Sequence, residues 1–302
     1  MNERRKRKGI MLARPYERRR LTEPKFGWAS APFITCQPKL DGERCVACAD
    51  SVTGEVRLLS STALPFPYFH HIKDALREFF DVYPDVKLDG ELYIHGQPFE
   101  VISSIAGRTT NQHPDEELLE YHIFDVVHPD NLLQSNRLLK LTTWYGDFFY
   151  KHSFLKAVQS RAVDNDYRVV ENEIASAVAN GYEGIILRHP LKQYEEKRSS
   201  WIMKFKPRKV DIYVITNCIE AIDKDGYEKG MLGAFVVNSG DCGTFEVGAG
   251  TLSHKGREWV WHNQSEVVGK MLVLAYNSTH ESGIPRHAVA LSIHGIPDDI
   301  LH

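Results

Sequence analysis

Two apolar runs, Phe33 to Pro38 and Cys45 to Ala47, are separated in this chain only by Lys39-Leu40-Asp41-Gly42-Glu43-Arg44. So short a polar connection predicts a tight turn between extended segments. With Thr53-Gly54 as a second break, the run from Phe33 to Arg57 reads as strand, turn, strand, turn, strand, a meander at the edge of a sheet. The first turn also gathers a lysine, a carboxylate, a glycine and an arginine, a composition suited to reactive chemistry. Its pentapeptide KLDGE occurs twice, as Lys39 to Glu43 and as Lys87 to Glu91. The sequence itself therefore asks which lysine reacts.

Further along, Phe69, Ile72, Leu76, Phe79 and Phe80 fall at helical spacing between Tyr68 and Tyr83, predicting an amphipathic helix with those residues in the core. Val86 to Ile94 and Tyr121 to Val127 read as strands. Arg137 to Ala162 reads as largely helical, with Trp144, Phe148, Phe149 and Phe154 available to pack. Glu173 to Asn180 predicts a short helix, Gly181 its C-cap and Gly184 to Leu187 a buried strand. Trp201 to Lys206 alternates so that its two lysines share one face. Strands and helices mix without βαβ regularity, which predicts an α+β fold.

Beyond Pro207-Arg208-Lys209 the pattern changes to short strands with glycine turns: Ile212 to Ile222, Ala234 to Val237, Thr244 to Val247, Met271 to Tyr276 and Val289 to Ile293. Only Lys255 to Val268 is suited to a helix there. Roughly 95 residues in this rhythm predict a small β-barrel of the OB-fold kind. The expected division is residues 1–207 and 208–302, and a length of 302 residues with 42% apolar content is enough to bury two cores.

No run of about 18 apolar residues occurs, and Met1 to Lys8 has no apolar stretch to serve as a secretion signal, so the expectation is a cytoplasmic protein without a membrane partner. Five cysteines, Cys36, Cys45, Cys48, Cys218 and Cys242, then read as reduced thiols. Cys45 and Cys48 form a CxxC, but Cys218 and Cys242 stand too far apart to complete a zinc site, so strand packing is the better reading. Net charge is −3, unevenly spread: residues 1 to 25 hold ten Lys or Arg against three Glu, leaving −10 for the rest. A basic arm on an acidic body suits a polyanion such as nucleic acid, or is simply a solvated tail.

A lysine with its ordinary pKa of ~10.4 is neutral in roughly one molecule in a thousand at pH 7, so a nucleophilic lysine needs cations or burial around it. Arg44, Lys204 and Lys206 are the candidates. Attack on a phosphate needs its charge offset as well, and Asp41, Glu91 and Glu183 are carboxylates at or beside glycine turns. Each signal alone has an ordinary reading: a surface turn at Lys39, a helix-to-strand turn at Glu183, a solvated face at Lys204 and Lys206.

The ordered set is more specific. Lys39-Leu40-Asp41-Gly42-Glu43-Arg44, Asp89-Gly90-Glu91-Leu92, Phe124-Asp125-Val126, Glu183-Gly184-Ile185-Ile186-Leu187 and Trp201-Ile202-Met203-Lys204-Phe205-Lys206 resemble the successive motifs of covalent nucleotidyltransferases. Within that superfamily the chain most resembles the small ATP-dependent DNA ligases of phage type. Lys229 to Gly233, Phe245 to Gly250 and Gly283 to His287 are similar to the OB-domain segments of such enzymes.

The resemblance implies an adenylation domain of antiparallel sheets with helices, followed by an OB domain that swings about the linker near Pro207. It implies that Lys39 attacks the α-phosphate of ATP, releases pyrophosphate and holds AMP as a phosphoramidate. Arg44 and Glu91 would contact the ribose, Phe124 would stack on adenine and Gln37 would read its edge. Glu183 would hold Mg²⁺ or Mn²⁺, with Glu91 and Asp41 near it. Lys204 and Lys206 would neutralise phosphates, and Arg286 would orient pyrophosphate. AMP would then pass to the 5′-phosphate of a nick in duplex DNA, and the 3′-hydroxyl would displace it. Arg4, Arg5, Lys6, Arg7, Lys8, Arg18, Arg19 and Arg20 are expected to contact DNA phosphates, on a monomeric protein.

The chain departs from the family pattern twice. Leu59-Ser60-Ser61-Thr62 offers only hydroxyls where the family often carries Ser-Arg, and Val289 to His294 lacks the basic residues expected after Arg286. An RNA ligase or capping-type guanylyltransferase, and an inactive nucleic-acid-binding relative, are the competing readings.

Overall fold

The connection after Lys39 is a corner between two sheets. A computed structural model describes residues 9–240, 243–276, 278–280 and 282–302, so the expectations for Cys242 and for Arg4, Arg5, Lys6, Arg7 and Lys8 lie outside the described residues. The chain divides into two compact units, Met1–Lys206 and Pro207–His302.

The first unit carries strands β1 (Leu12–Pro15), β2 (Ile34–Lys39), β3 (Glu43–Ala49), β4 (Val56–Ser60), β5 (Lys87–Tyr93), β6 (Glu120–Val127), β7 (Leu155–Ala157), β8 (Arg161–Val163), β9 (Gly184–Arg188) and β10 (Arg198–Phe205). Its helices are α1 (Arg18–Thr22), α2 (His70–Val82), α3 (Phe99–Ala106), α4 (Gln134–Trp144) and α5 (Tyr167–Ala179). One sheet runs β1-β10-β9-β2-β8, the other β4-β3-β5-β6-β7. The expected meander is therefore half right: β3 and β4 pair, but β2 and β3 belong to different sheets. Sequence spacing cannot separate a hairpin from a corner, because both need only a short polar turn. Pro38 is tolerated because β8 pairs with β2 only as far as Cys36, leaving that side of the strand unpaired beyond it.

Helices α2, α3 and α4 share a buried cluster with the second sheet, in which Leu58, Leu88 and Ile123 meet Ile72, Leu76 and Phe79, all fully buried. Phe79 is its aromatic centre, with ring centroids of Phe80, Trp144 and Phe149 each 5.1 Å away. Phe69 belongs to this core but precedes the helix, with a left-handed φ of 64°. The expected helix from Arg137 to Ala162 ends early: α4 passes into a π-helical turn over Tyr145–Phe149, and β7 and β8 follow. Conversely α5 begins before Glu173, because the Asp166 carboxylate accepts the Arg168 N–H at 2.8 Å and starts the helix at Tyr167.

In the second unit β11 (Lys209–Ile222), β12 (Glu228–Asn238) and β13 (Thr244–Gly248) form an antiparallel run. Helices α6 (His254–His262) and α7 (Gln264–Val267) follow, α6 opening where Ser253 Oγ accepts the Gly256 N–H. Then come β14 (Met271–Tyr276), the two-residue β15 (Ser278–Thr279) and β16 (Pro285–Arg286), β17 (Val289–Ile293) and α8 (Asp298–Leu301). β17 pairs with β14, β14 returns to β11, and one parallel bridge from Gly248 to Val289 joins β13 to β17. The inward face holds Ile215, Phe235, Val247 and Leu274, all fully buried. Among the described residues no helix is long and apolar enough to cross a membrane. Cys36, Cys45, Cys48 and Cys218 are free thiols, the first two and the last buried.

Candidate active site

Lys39 ends β2 opposite Gly184, the first residue of β9. The Glu183 N–H donates to the Lys39 carbonyl at 3.1 Å, so the main chain fixes Glu183 beside the lysine. Its carboxylate makes ion pairs with both Lys39 and Lys206, three side chains that are each at least three-quarters buried. The corner that follows is held by close packing: a Cβ on Gly42 would lie 2.3 Å from the Leu92 carbonyl oxygen. Lys39 is thus set at the seam of the two sheets by a turn that admits no side chain at its glycine.

A cavity of about 350 Å³ opens there, with walls from both sheets. Gln37, Lys39, Arg44, Glu91, Phe124, Lys204 and Lys206 all line it. Ser61 lines it too, within the stretch where the family often carries Ser-Arg. Asp41 and Glu183 are not among the lining residues, and Glu183 reaches the site through its two lysines. Arg286 lies in β16 of the other unit.

Several sequence expectations change in detail. Lys39 pairs with the Glu183 carboxylate, which it shares with Lys206, and the expected cations Arg44 and Lys204 line the same cavity. Asp89-Gly90-Glu91 is the interior of β5, with no turn; Gly90 is needed because a Cβ would sit 2.5 Å from the His122 carbonyl oxygen. Asp41, Glu91 and Glu183 do not gather into a three-carboxylate group: among the described residues no cluster of three metal-ligating side chains forms. Gln37, 1% exposed, spends its amide on the protein, donating to the Phe124 carbonyl at 2.9 Å and Ser160 Oγ at 2.8 Å and accepting from Arg188 Nε at 2.7 Å. Arg19 and Arg20 both pair with Glu17, while Arg18 lies over the Tyr167 ring, 3.1 Å from its centroid.

Burial pushes the Glu91 carboxyl up to about 7, against the opposing pull of Lys39 and Arg44. Two further carboxylates, part of the sequence motifs but given no role there, organise the cavity from behind. Asp89, fully buried, accepts Arg44 Nε at 2.6 Å and Nη2 at 2.5 Å, and the Tyr194 hydroxyl at 2.6 Å. Burial disfavours the Arg44 guanidinium, but Asp89 outweighs it and the pKa rises. Asp125 accepts Arg137 Nε at 2.7 Å and Arg188 Nη1 at 2.6 Å. Burial would raise its carboxyl, yet the two arginines hold it below the usual range. Arg44 and Arg188 stand 4.6 and 5.4 Å from the centroid of the Phe124 ring. The signal for Arg188 was available: an arginine closing the apolar run Gly184–Arg188 has to be paired when that run is buried.

Known proteins match this arrangement along most of the chain. A family model described as an ATP dependent DNA ligase domain matches residues 11–206, and one described as a DNA ligase OB-like domain matches residues 225–293. A DNA ligase of African swine fever virus is 31% identical over 178 residues, 57% of this chain and 41% of its own length. This chain therefore spans less than half of that viral relative. A DNA ligase of Haemophilus influenzae is 26% identical over 280 residues, 92% of this chain and 90% of that one. A solved Lig E DNA ligase superposes with a TM-score of 0.68 at 22% identity, covering 95% of this chain and 99% of the other, a likeness of fold. Because the first model spans the unit that holds the cavity, Lys39 and its partners included, the chain belongs to the ATP-dependent DNA ligase family.

Proposed function

We propose that the chain seals 5′-phosphate/3′-hydroxyl nicks in duplex DNA through an adenylylated Lys39. The observation that carries this reading is the Lys39–Glu183–Lys206 cluster at a cavity of nucleotide size. Lys39 Nζ forms a bond to the α-phosphorus of ATP as the bond to the bridging oxygen breaks, and pyrophosphate leaves with that electron pair. The amine sheds its proton, and AMP stays as a phosphoramidate. Lys204 and Lys206 offset the phosphate charge from fixed positions, which costs no reorganisation during the reaction. AMP then passes to the 5′-phosphate oxygen of the nick, freeing Lys39. The 3′-hydroxyl, losing its proton, attacks the phosphorus of that 5′-phosphate and expels AMP with the bridging oxygen.

Glu91 and Glu183 suit a divalent cation that uses one or two protein carboxylates and completes its shell with substrate phosphates and water. A carboxyl at about 7 is ionised in a large share of molecules at neutral pH, which agrees with that use. Mg²⁺ or Mn²⁺ held there would supply positive charge to the triphosphate. Gln37 and Phe124 would face the adenine, with Gln37 also fixing the Phe124 main chain. Arg286 would act on pyrophosphate, and Asp41 would lie near the metal ion. Residues 1–207 form the adenylating domain and 208–302 the OB domain in this reading. Arg4, Arg5, Lys6, Arg7, Lys8, Arg18, Arg19 and Arg20 would contact DNA phosphates, and the protein would act as a cytoplasmic monomer.

The test is incubation with α-labelled ATP and Mg²⁺, then denaturing electrophoresis and a chase with nicked duplex. Acid-labile label that moves to DNA is the expected result. Sealing of ready-made adenylylated nicks without any label on the protein would overturn the first step and leave the last.

A further inference from the structure

Four chain segments meet behind the cavity in a closed circuit of hydrogen bonds. The Met11 N–H donates to the Tyr194 hydroxyl oxygen at 2.9 Å, and that hydroxyl donates to Asp89 Oδ2 at 2.6 Å. Asp89 accepts both Nε and Nη2 of Arg44, and Arg44 Nη2 also reaches the Met11 carbonyl at 3.3 Å. Met11, Asp89 and Tyr194 are at most 8% exposed. Arg44 and Met11 line the cavity, whereas Tyr194 and Asp89 do not. Tyr194 belongs to the connection between β9 and β10, so it is remote in sequence from every other member.

We infer that Tyr194 is a positioning residue for nucleotide binding: it locks Arg44 and the N-terminal strand into one wall of the cavity without touching the ligand. The inference rests on the reading of this cavity as the ATP site. Two features assign the task to Tyr194. Its hydroxyl both accepts from Met11, the residue just before β1, and donates to the carboxylate holding Arg44. β1 pairs along one edge, with β10, and the circuit ties Met11, just before it, to Arg44 and Asp89 of the second sheet. With the hydroxyl gone, a buried N–H loses its acceptor and Asp89 loses a donor. Arg44 and Asp89 then hold each other without their link to the Tyr194 segment and with a weaker tie to Met11, and the ligand must order the wall as it binds.

The experiment is an ATP titration of lysine labelling under single-turnover conditions, comparing wild type with Tyr194→Phe, which keeps the ring. The expected result is a half-saturating ATP concentration raised about tenfold with a maximal rate within about twofold, since uniform binding is lost and the chemical groups are untouched. A purely structural role would lower the melting temperature and leave the half-saturating concentration alone; that outcome overturns the inference while the adenylation reading stands. A fall in maximal rate at unchanged half-saturation overturns it as well. No labelling of wild type would overturn the adenylation reading and this inference with it. Should Tyr194→Phe fail to fold, Asp89→Asn, which preserves shape, is expected to raise the half-saturating concentration in the same way, and an unchanged value there is equally decisive against the circuit.

Discussion

The two KLDGE copies have the same five side chains and opposite fates. Lys39 closes β2 and pairs with Glu183 at the cavity, while Lys87 opens β5 and pairs with Glu196 at 3.4 Å, both nearly half exposed. Asp41 lies in the corner, half-buried; Asp89 is fully buried and anchors Arg44 and Tyr194. Both leucines are buried and both glycines face a carbonyl oxygen too close for a Cβ. The copies even touch, since Gly42 packs on Glu91 and Leu92, and Arg44 stands opposite Glu91 across β3 and β5. Identity of sequence therefore fixes the packing of Leu and Gly, which depends on size, and leaves the charged residues to be assigned by what each strand faces.

The largest effect that tests this contrast is on the lysines. Lys39→Ala is expected to abolish labelling by α-labelled ATP, a loss beyond about a thousandfold, because no other amine occupies that position. Residual labelling near wild type would mean that the wrong copy had been read as reactive. Next come the aspartates. Asp89→Ala takes the fully buried carboxylate from the partly exposed Arg44 and from the Tyr194 hydroxyl and should cost roughly 2–3 kcal/mol in urea unfolding, whereas Asp41→Ala should stay within about 1 kcal/mol. Equal losses would erase the distinction between corner and strand interior.

The glutamates give a pH signature of smaller size. Glu91 holds its proton up to about 7 when folded, against an ordinary 4.5 when unfolded. Between those values the folded state binds the extra proton, so stability falls as pH rises through the window and is level on either side. In metal-free buffer wild type should lose on the order of 2 kcal/mol relative to Glu91→Gln between pH 4.5 and 7.5. Parallel curves for the two proteins would refute the burial argument. The smallest effect belongs to Lys87→Ala, which breaks an exposed pair and should change stability by less than about 1 kcal/mol, with labelling within about twofold.

Much of the architecture was legible beforehand. The strands from Ile34 to Ser60, the helix over His70–Val82 and the break at Pro207 follow from period, turn residues and length, which are local properties. The stretch after Arg137 was misjudged because its aromatics suit either a helix or a strand against the same core, and a π-helical turn has no compositional mark. At the site, Lys39, Lys204, Lys206 and Glu183 could be chosen from their order along the chain. Asp89, Asp125, Arg188 and Tyr194 could not be given roles, because a buried charge shows its purpose only through its partner.

By itself, then, the sequence determined which segments extend or coil, where one unit ends, and which lysine stands beside a glycine turn and an arginine. Those outcomes depend on steric periods and on contacts a few residues apart. Only the tertiary structure decided that the turn crosses between sheets, that Glu183 sits between two lysines, and that Met11, Arg44, Asp89 and Tyr194 close a circuit. These depend on charges and hydrogen-bonding groups from distant segments being desolvated together, where each can be satisfied only by the others.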